Sequence, residues 1–592
     1  MCGIFGYIGD KQIEKELIKN LKKLEYRGYD SAGIAVLNND EFIIQKESGS
    51  ISNLEKNLKY LGGGCGISHT RWATHGVPSK ENAHPHKSYD GKWAIVHNGI
   101  IENYKVLKDK LISQNIHFKS QTDSEVIAHL LSINNTKNYI ENLIDVCNNL
   151  QGSFALIVLN KNTPNTLYLA KRKSPLYVGV KDGEVYVASD IICLCENVDN
   201  YYILEDDEFC EVNNKSLVFY DKNKNEISKK LHTLENIKFA GNLGDFSYYM
   251  HKEIMEVPSV LKRIVEVYKS SGILDKIDIE NYNKIILVGC GTAYHASLMG
   301  AEYIEKFARI DSRAYVASEF RYSDPIINNK TLAIFVSQSG ETADTISALN
   351  LAKEKGAKIV SLTNVLYSTI ARLSDIVLPV CAGSEIAVAS TKAYSAMITI
   401  LYMLSKHFQN KKFNTHYDYF ANIENLGRSF DLQHLNIVNN LSEDLKDGDK
   451  VFFIGRDLDY ITAVESSLKL KEITYINSSA YPSGELKHGF LALVDDDSKI
   501  FVIATQKDLL DKTLNNAFEA MSRGGEIIVF SQYDLSQYYG EKFKQIKLPT
   551  FDEEIMPVVT ISYFQMLSYL TSISKGINPD KPRNLAKSVT VE

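Results

Sequence analysis

The second half of the chain repeats itself. KIILVG (284–289) is matched by KVFFIG (450–455), 166 residues further on. TLAIFVSQ (331–338) is matched by KIFVIATQ (499–506), and GAKIVSLTN (356–364) by GGEIIVFSQ (524–532), each 168 residues further on. Every segment is a continuous apolar run rich in β-branched residues, as in strands buried on both faces, and helix-length segments lie between them. Parallel strands that were merely alike would scatter in offset. Three in one order at nearly one offset predict two copies of a doubly wound α/β unit. At 592 residues the chain also exceeds what one hydrophobic core can fill.

Ahead of the repeat the texture differs. Short strands such as GIAVLN (33–38), WAIVHNG (93–99), SFALIVLN (153–160) and EVYVAS (184–189) alternate with turn residues. Helical patterns interrupt them only at 10–25, 123–133 and 138–150, which predicts a sheet-rich α+β domain. The polar stretch over 221–245 reads as a junction. We therefore divide the chain into 2–235, a first α/β subdomain 236–430, a second 431–577, and a tail 578–592.

Composition narrows the partners. The net charge is −7 with Lys and Arg spread along the whole length, so no concentrated basic face predicts nucleic-acid binding. Eight scattered cysteines without a CxxC pair fit neither a disulfide framework nor a zinc site, and suit a reducing compartment. AHPH (83–86) lacks a nearby third ligand, so we expect no metal and give His84 and His86 a loop role. The start shows no signal-peptide pattern, and no apolar run is long enough for a bilayer. The expectation is a cytoplasmic protein without membrane partners.

The two copies differ where chemistry is expected. SQSGET (337–342) lies between a strand and a helical segment, where backbone N–H groups and a helix N-terminus converge on an anion. Ser337, Gln338, Ser339 and Thr342 are its candidate donors. CGTAYHAS (290–297) and ASTKA (389–393) add hydroxyls at two further turns of the same sheet. Each alone reads as an ordinary helix cap; together they point to a small phosphorylated metabolite. Neither GxGxxG nor GxxxxGK[ST] occurs there, which disfavours dinucleotides and nucleoside triphosphates. In copy two the matching TQKDLL has no glycine and carries an acid, so no anion is expected there. Copy two instead offers Glu465, Lys469 and Glu472 on one helix face, for which a solvated ion-pair face is the commoner reading. It also offers Glu485, Lys487 and His488 in GELKHG, and Lys587 stands in the tail NLAKSVTVE, for which a frayed terminus is the ordinary reading.

The first half begins MCGIFG. Loss of the initiator methionine leaves Cys2 with a free α-amino group of pKa about 8 beside a thiol of about 8.5, a nucleophile and its base in one residue. A small buried cysteine is the ordinary alternative. Arg71 in HTRWATHG offers a fork for a carboxylate. Asn98 and Gly99 in HNGIIENY offer a side-chain amide and a backbone N–H to an oxyanion. Thr122 and Asp123 read by default as N-cap residues. YRGYDSAG (26–33) adds another Arg/Gly turn.

Taken together these motifs resemble a known family. MCGIFG to about residue 235 is similar to glutamine amidotransferases with an N-terminal cysteine nucleophile, which implies the αββα sandwich of N-terminal-nucleophile hydrolases. CGT, SQSGET, ASTKA, LKLKE, GELKHG and LAKSVTVE resemble paired sugar-isomerase (SIS) domains. In this order the chain resembles, end to end, the glutamine–fructose-6-phosphate aminotransferases (isomerizing), which implies glucosamine 6-phosphate formation at the entry to hexosamine (UDP-GlcNAc) biosynthesis.

The resemblance implies roles residue by residue. Cys2 would attack the glutamine amide, with Asn98 and Gly99 holding the oxyanion. Arg71 and Asp123 would hold the glutamine carboxylate and amino groups, with Arg27, Gly28, Thr74 and His75 shaping the pocket and Trp72 gating ammonia. Ser337, Gln338, Ser339 and Thr342 would bind the phosphate. Thr292 and Ser390 would contact the sugar or its phosphate, near the Val388 backbone. His488 would assist ring opening, Lys587 would form a Schiff base, Glu472 would shuttle a proton from C1 to C2, and Lys469 would assist. It implies L-glutamine and fructose 6-phosphate as substrates, no cofactor, and a homodimer or larger assembly. Phe490 stands where the family has proline after GELKHG, which predicts a looser loop around His488. Two rivals remain: a non-catalytic sugar-phosphate sensor, and a related amidotransferase or deglycase using another sugar phosphate.

Overall fold

The structure, a computed structural model, describes residues 2–134, 136, 138–234, 243–446, 448 and 450–590. The chain divides into two units, residues 1–240 with 588–592 and residues 241–587. The boundary expected at 235–236 lies outside the described residues. The stretch taken for a junction is partly sheet: Glu226–Ile227 and His232–Thr233 are edge strands of the first unit.

Two antiparallel sheets form the first unit. One has eight strands in the order His232–Thr233, Asn200–Ile203, Tyr177–Lys181, Glu184–Ala188, Gly3–Ile8, Cys65–Arg71, Ser31–Asn38, Glu41–Ser48. The other has seven, in the order Glu226–Ile227, Leu217–Tyr220, Glu208–Asn213, Thr166–Arg172, Gly152–Asn160, Trp93–Ile101, His86–Lys87. The period of two along each strand sorts side chains between faces. Ile4, Ile8 and Ile67 meet Val96, Ala155, Ile157 and Leu169 in the core between the sheets. On the opposite face of the second sheet, Trp93, Ile95, Phe154, Leu156 and Val158 pack under helices Glu125–Ile133 and Tyr139–Asn148. Helix Ile13–Lys23 covers the eight-stranded sheet over its strands Gly3–Ile8 and Cys65–Arg71, which completes an αββα sandwich. Helices Ile51–Lys56 and Tyr104–Ser113 were not expected; Tyr104–Ser113 buries only Leu111, so its lysine-rich sequence gave little period to read.

In the second unit the predicted duplication is visible as topology. Strands Lys284–Gly289, Asp311–Val316, Thr331–Ser337, Lys358–Thr363 and Ile376–Pro379 form one parallel sheet. Strands Val451–Gly455, Ser478–Pro482, Lys499–Ile503, Glu526–Ser531 and Phe543–Lys547 form the other. In both, chain order maps to spatial order second, first, third, fourth, fifth. The copies share a backbone detail: a Cβ on Gly289 would lie 2.7 Å from the Ala293 carbonyl carbon, and one on Gly455 2.6 Å from that of Asp459. At both places the first helical turn backs onto the strand end, and only glycine fits. Helices Lys392–Phe413 and Met556–Ser574 are buried on nearly every face, as expected of helices inside a large core. Among the described residues no helix is long and apolar enough to cross a membrane.

Candidate active sites

Cys2 stands one residue ahead of the Gly3–Thr70 pair and so faces the end of strand Cys65–Arg71. Its thiol donates to the Trp72 carbonyl at 3.5 Å, and the Trp72 N–H points back at the sulfur at 3.4 Å. Burial pushes the thiol above its ordinary pKa; Arg71 opposes that and Asp123 adds to it, so both charges act at the sulfur. Arg71 fixes the following loop by donating to the carbonyls of His75, Gly76 (3.1 Å) and Val77 (3.4 Å). Asp123 is buried and accepts from the Ile101 N–H at 2.7 Å, with His75 Nδ1 4.0 Å from its other oxygen. It is not the N-cap of its helix: that position is Ser124, and Glu125 takes the N–H groups of Lys119 and Ser120. Thr74 is exposed with its hydroxyl 3.4 Å from the His75 ring, and Trp72 packs edge-on against Tyr29.

Asn98 and Gly99 lie on strand Trp93–Ile101, paired with Ala155 and Phe154. Asn98 is buried with an Oδ1 that no described group satisfies. Gly99 has φ of 131°, and a Cβ there would sit 2.1 Å from the Ser153 carbonyl oxygen. Arg27 behaves differently from the rest. It is buried in an ion pair with Asp190 at 2.5 Å, next to Tyr26, and among the described residues no hydrogen bond links it to Cys2. Gly28 receives the Thr70 hydroxyl on its carbonyl. His84 lies in a loop, as expected, and His86 opens the short strand His86–Lys87. Both are buried, His84 is stacked on His69 at 4.0 Å, and burial holds all three rings well below the ordinary histidine range. Among the described residues no group of His, Cys, Asp and Glu is arranged to hold a metal.

In the second unit the loop after Thr331–Ser337 is a turn built from its own hydroxyls. Ser337 Oγ accepts from the Gly340 N–H at 3.0 Å and lies 3.4 Å from Thr342 Oγ1, while Ser339 Oγ accepts from Glu341 N–H at 3.2 Å. Gly340 has φ of 65°. The Gln338 carbonyl accepts from Asn364. In copy two the matching strand end is closed from within: Asp459 accepts the Thr505 N–H at 2.8 Å and the Thr505 hydroxyl at 2.5 Å. Thr505 corresponds to Ser337, so an internal carboxylate takes the donors there. The acid seen in TQKDLL is not the one involved.

The helix face of copy two is no solvated ion-pair face. Glu465 and Lys469 have no exposed side-chain surface, and Lys469 Nζ lies 3.4 Å from Glu465 and 2.6 Å from Glu472. From copy one, Thr292 Oγ1 receives Lys469 at 3.0 Å and donates to Glu465 at 3.1 Å, and His295 Nδ1 lies 2.6 Å from Glu465. The two copies thus meet at a polar cluster buried inside the unit. Lys587 Nζ is 2.5 Å from Glu385, which also accepts from Ser390 Oγ at 2.9 Å. The Val388 N–H donates to the Asp580 carbonyl, which ties the tail to the ASTKA segment. Lys469 and Glu385 are close enough for each to act on the other's charge. His488 is exposed, and among the described residues no hydrogen bond or ion pair links it to Lys469, Glu472 or Lys587. Its loop is not loose: Phe490 is buried, stacked on Tyr481 at 4.8 Å and edge-on to Phe452 at 4.7 Å. Sequence reasoning missed Glu385 and His295. The one signal for Glu385 was an acid in an otherwise small, apolar segment just before ASTKA.

Residues 69–196 match the glutamine amidotransferase domain family, and residues 278–406 and 444–575 each match the SIS domain family. The fold and site therefore define an N-terminal-nucleophile glutamine amidotransferase joined to a pair of SIS domains. The glutamine–fructose-6-phosphate aminotransferase (isomerizing) of Caldanaerobacter subterraneus is 44% identical over all of both chains. That of Thermococcus kodakarensis is 40% identical, again over all of both. The C-terminal domain of the glucosamine-fructose-6-phosphate aminotransferase from Francisella tularensis is 34% identical with a TM-score of 0.55, covering 58% of this chain and all of that one. This chain belongs to the glutamine–fructose-6-phosphate aminotransferase (isomerizing) family.

Proposed function

We propose that the chain converts L-glutamine and fructose 6-phosphate to L-glutamate and glucosamine 6-phosphate. The observation that carries this reading is a pair of buried lysine–carboxylate clusters, Lys469 with Glu465 and Glu472, and Lys587 with Glu385, in a chain that also sets Cys2 beside Arg71 and Asp123. A sugar-phosphate sensor has no use for either set.

In the first unit Cys2 attacks the glutamine amide carbon, Asn98 and Gly99 hold the oxyanion, and ammonia leaves a thioester that water clears. The raised thiol pKa means a base must take its proton, the task of the freed α-amine. Arg71 and Asp123 bind the charged end of glutamine, Thr74 and His75 line the pocket, and Trp72 gates ammonia. Arg27, held by Asp190, acts by supporting the pocket wall.

In the second unit Ser337, Gln338, Ser339 and Thr342 cradle the phosphate, with Thr292, Val388 and Ser390 about the sugar. Lys587 captures the open-chain ketone as a Schiff base, ammonia displaces it, and Glu472 carries a proton from C1 to C2 with Lys469 beside it. His488 opens the ring. Its exposure away from the cluster supports a homodimer in which a second copy brings this residue in. The cytoplasmic location proposed here rests on the scattered cysteines, which suit a reducing compartment.

The test supplies purified protein with glutamine and fructose 6-phosphate. Glutamate and amino sugar should form together, and the Cys2→Ala variant should form neither. Glutamate at the level of that variant removes the amidotransferase reading; glutamate without amino sugar points to another acceptor.

A further inference from the structure

An ammonium has no lone pair, and an ordinary lysine, with a pKa of about 10.4, is almost wholly protonated near neutrality. A lysine that captures a ketone from a buried position therefore needs a neighbour that removes its proton. Glu385 occupies that place. Its side chain has no exposed surface, Lys587 has 4%, and the two charged atoms are 2.5 Å apart. The other donors to the carboxylate are the Thr391 N–H at 2.9 Å, the Ala393 N–H at 3.1 Å and Ser390 Oγ at 2.9 Å. Four donors on one carboxylate fix its plane before any sugar arrives. Two of them are main-chain groups leading into helix Lys392–Phe413, a rigid mount.

The charged groups facing the pair come from three further elements. Glu253 on helix Tyr249–Met255 is pushed up by burial and by the charge of Glu385, an upward shift that Lys587 opposes. Lys392 acts on Glu253, and Lys469 on helix Leu458–Thr474 reaches Glu385 electrostatically. Burial pushes Glu385 itself up, but Lys587 and the backbone donors more than reverse this and keep it below the ordinary range.

We propose that Glu385 is the positioning residue and proton relay for Lys587, an inference that rests on the Schiff-base reading above. The Glu385 carboxylate takes one proton from the ammonium. The freed amine adds to C2, its lone pair forming the C–N bond while the carbonyl π pair moves to oxygen, which receives the second nitrogen proton. Glu385 then returns its proton to that hydroxyl, which leaves as water as the nitrogen lone pair closes the C=N bond. Ammonium plus ketone becomes protonated imine plus water, and Glu385 ends as the carboxylate it was.

The experiment traps the imine with cyanoborohydride in full-length protein given fructose 6-phosphate, and reads the mass of the Lys587 peptide across pH. Glu385→Gln keeps an oxygen for the backbone donors but takes no proton. Its trapping rate near pH 7 should fall about 100-fold and recover as pH rises toward that of free lysine. Trapping equal to the unsubstituted protein, or reduced by one factor at every pH, overturns the proposal. Should melting show Glu385→Gln unfolded, Glu385→Asp decides: a lower rate with unmoved pH dependence supports the relay, and an unchanged rate overturns it. No adduct on Lys587 of the unsubstituted protein overturns the Schiff-base reading and this one together, whereas an adduct there with Glu385→Gln unaffected overturns this one alone.

Discussion

Asp459 shows how much one buried atom pair decides. It is 3% exposed, and burial pushes its carboxyl up to about 6 although Thr505 donates to both oxygens. The folded value lies above the unfolded one of about 3.9. The folded chain therefore binds the proton more tightly, and this contribution to stability is fully present below about pH 4 and lost as pH rises through about 6. A shift of that size corresponds to about 3 kcal/mol. Asp459→Asn, with the Thr505 hydroxyl turned to accept, should melt higher than the parent at pH 8 and show a flatter profile between pH 4 and 7. An unchanged profile would refute the assignment. Gly99→Ala makes the opposite point. Its Cβ would fall 2.1 Å from the Ser153 oxygen at a φ foreign to alanine. Forcing those strands apart should cost on the order of 1–3 kcal/mol and most of the glutaminase rate, checked by melting and glutamate release.

At the level of elements, the two α/β copies show one scaffold serving two ends. Matching glycines, Gly289 and Gly455, set the same strand-to-helix approach, but the next strand ends in a hydroxyl-rich turn in one copy and in a turn plugged by a carboxylate in the other. The loop holding His488 depends on an anchor that the expected proline would not supply. Phe490 buries its ring between Tyr481 and Phe452, and Gly489 before it takes φ of 144°. Phe490→Ala should cost about 3–5 kcal/mol, the usual range for a buried phenylalanine, and should depress amino-sugar synthesis more than glutamate release. Equal loss of both activities in a folded variant would argue against a local role for the loop.

Across the whole molecule, the proposed chemistry divides between the two units, glutamate release in the first and amino-sugar synthesis in the second. Lys587→Ala should abolish amino-sugar synthesis yet leave glutamate release measurable; equal loss of both would contradict that division. Mixing His488→Ala with Lys587→Ala should restore synthesis that neither variant shows alone, and failure to do so in exchanged oligomers would remove the shared-site reading. Strand alternation, the two-copy order and the turn after Ser337 were legible because each follows from backbone hydrogen bonding and side-chain period within a few residues. Cys2, Glu472 and Lys587 drew notice within local motifs, but taken alone each had an ordinary structural reading, and the roles proposed for them came from the family resemblance. What the chain did not disclose is which distant groups meet. Arg27 goes to Asp190, Lys469 reaches Thr292 across the copies, and Lys587 finds Glu385, 202 residues away. Those pairings are set by how the sheets and buried helices pack together, and whether a charge in the cluster is solvated or buried depends on everything that covers it. Local order was therefore written in the sequence; partnership, burial and protonation were decided only when the whole core closed.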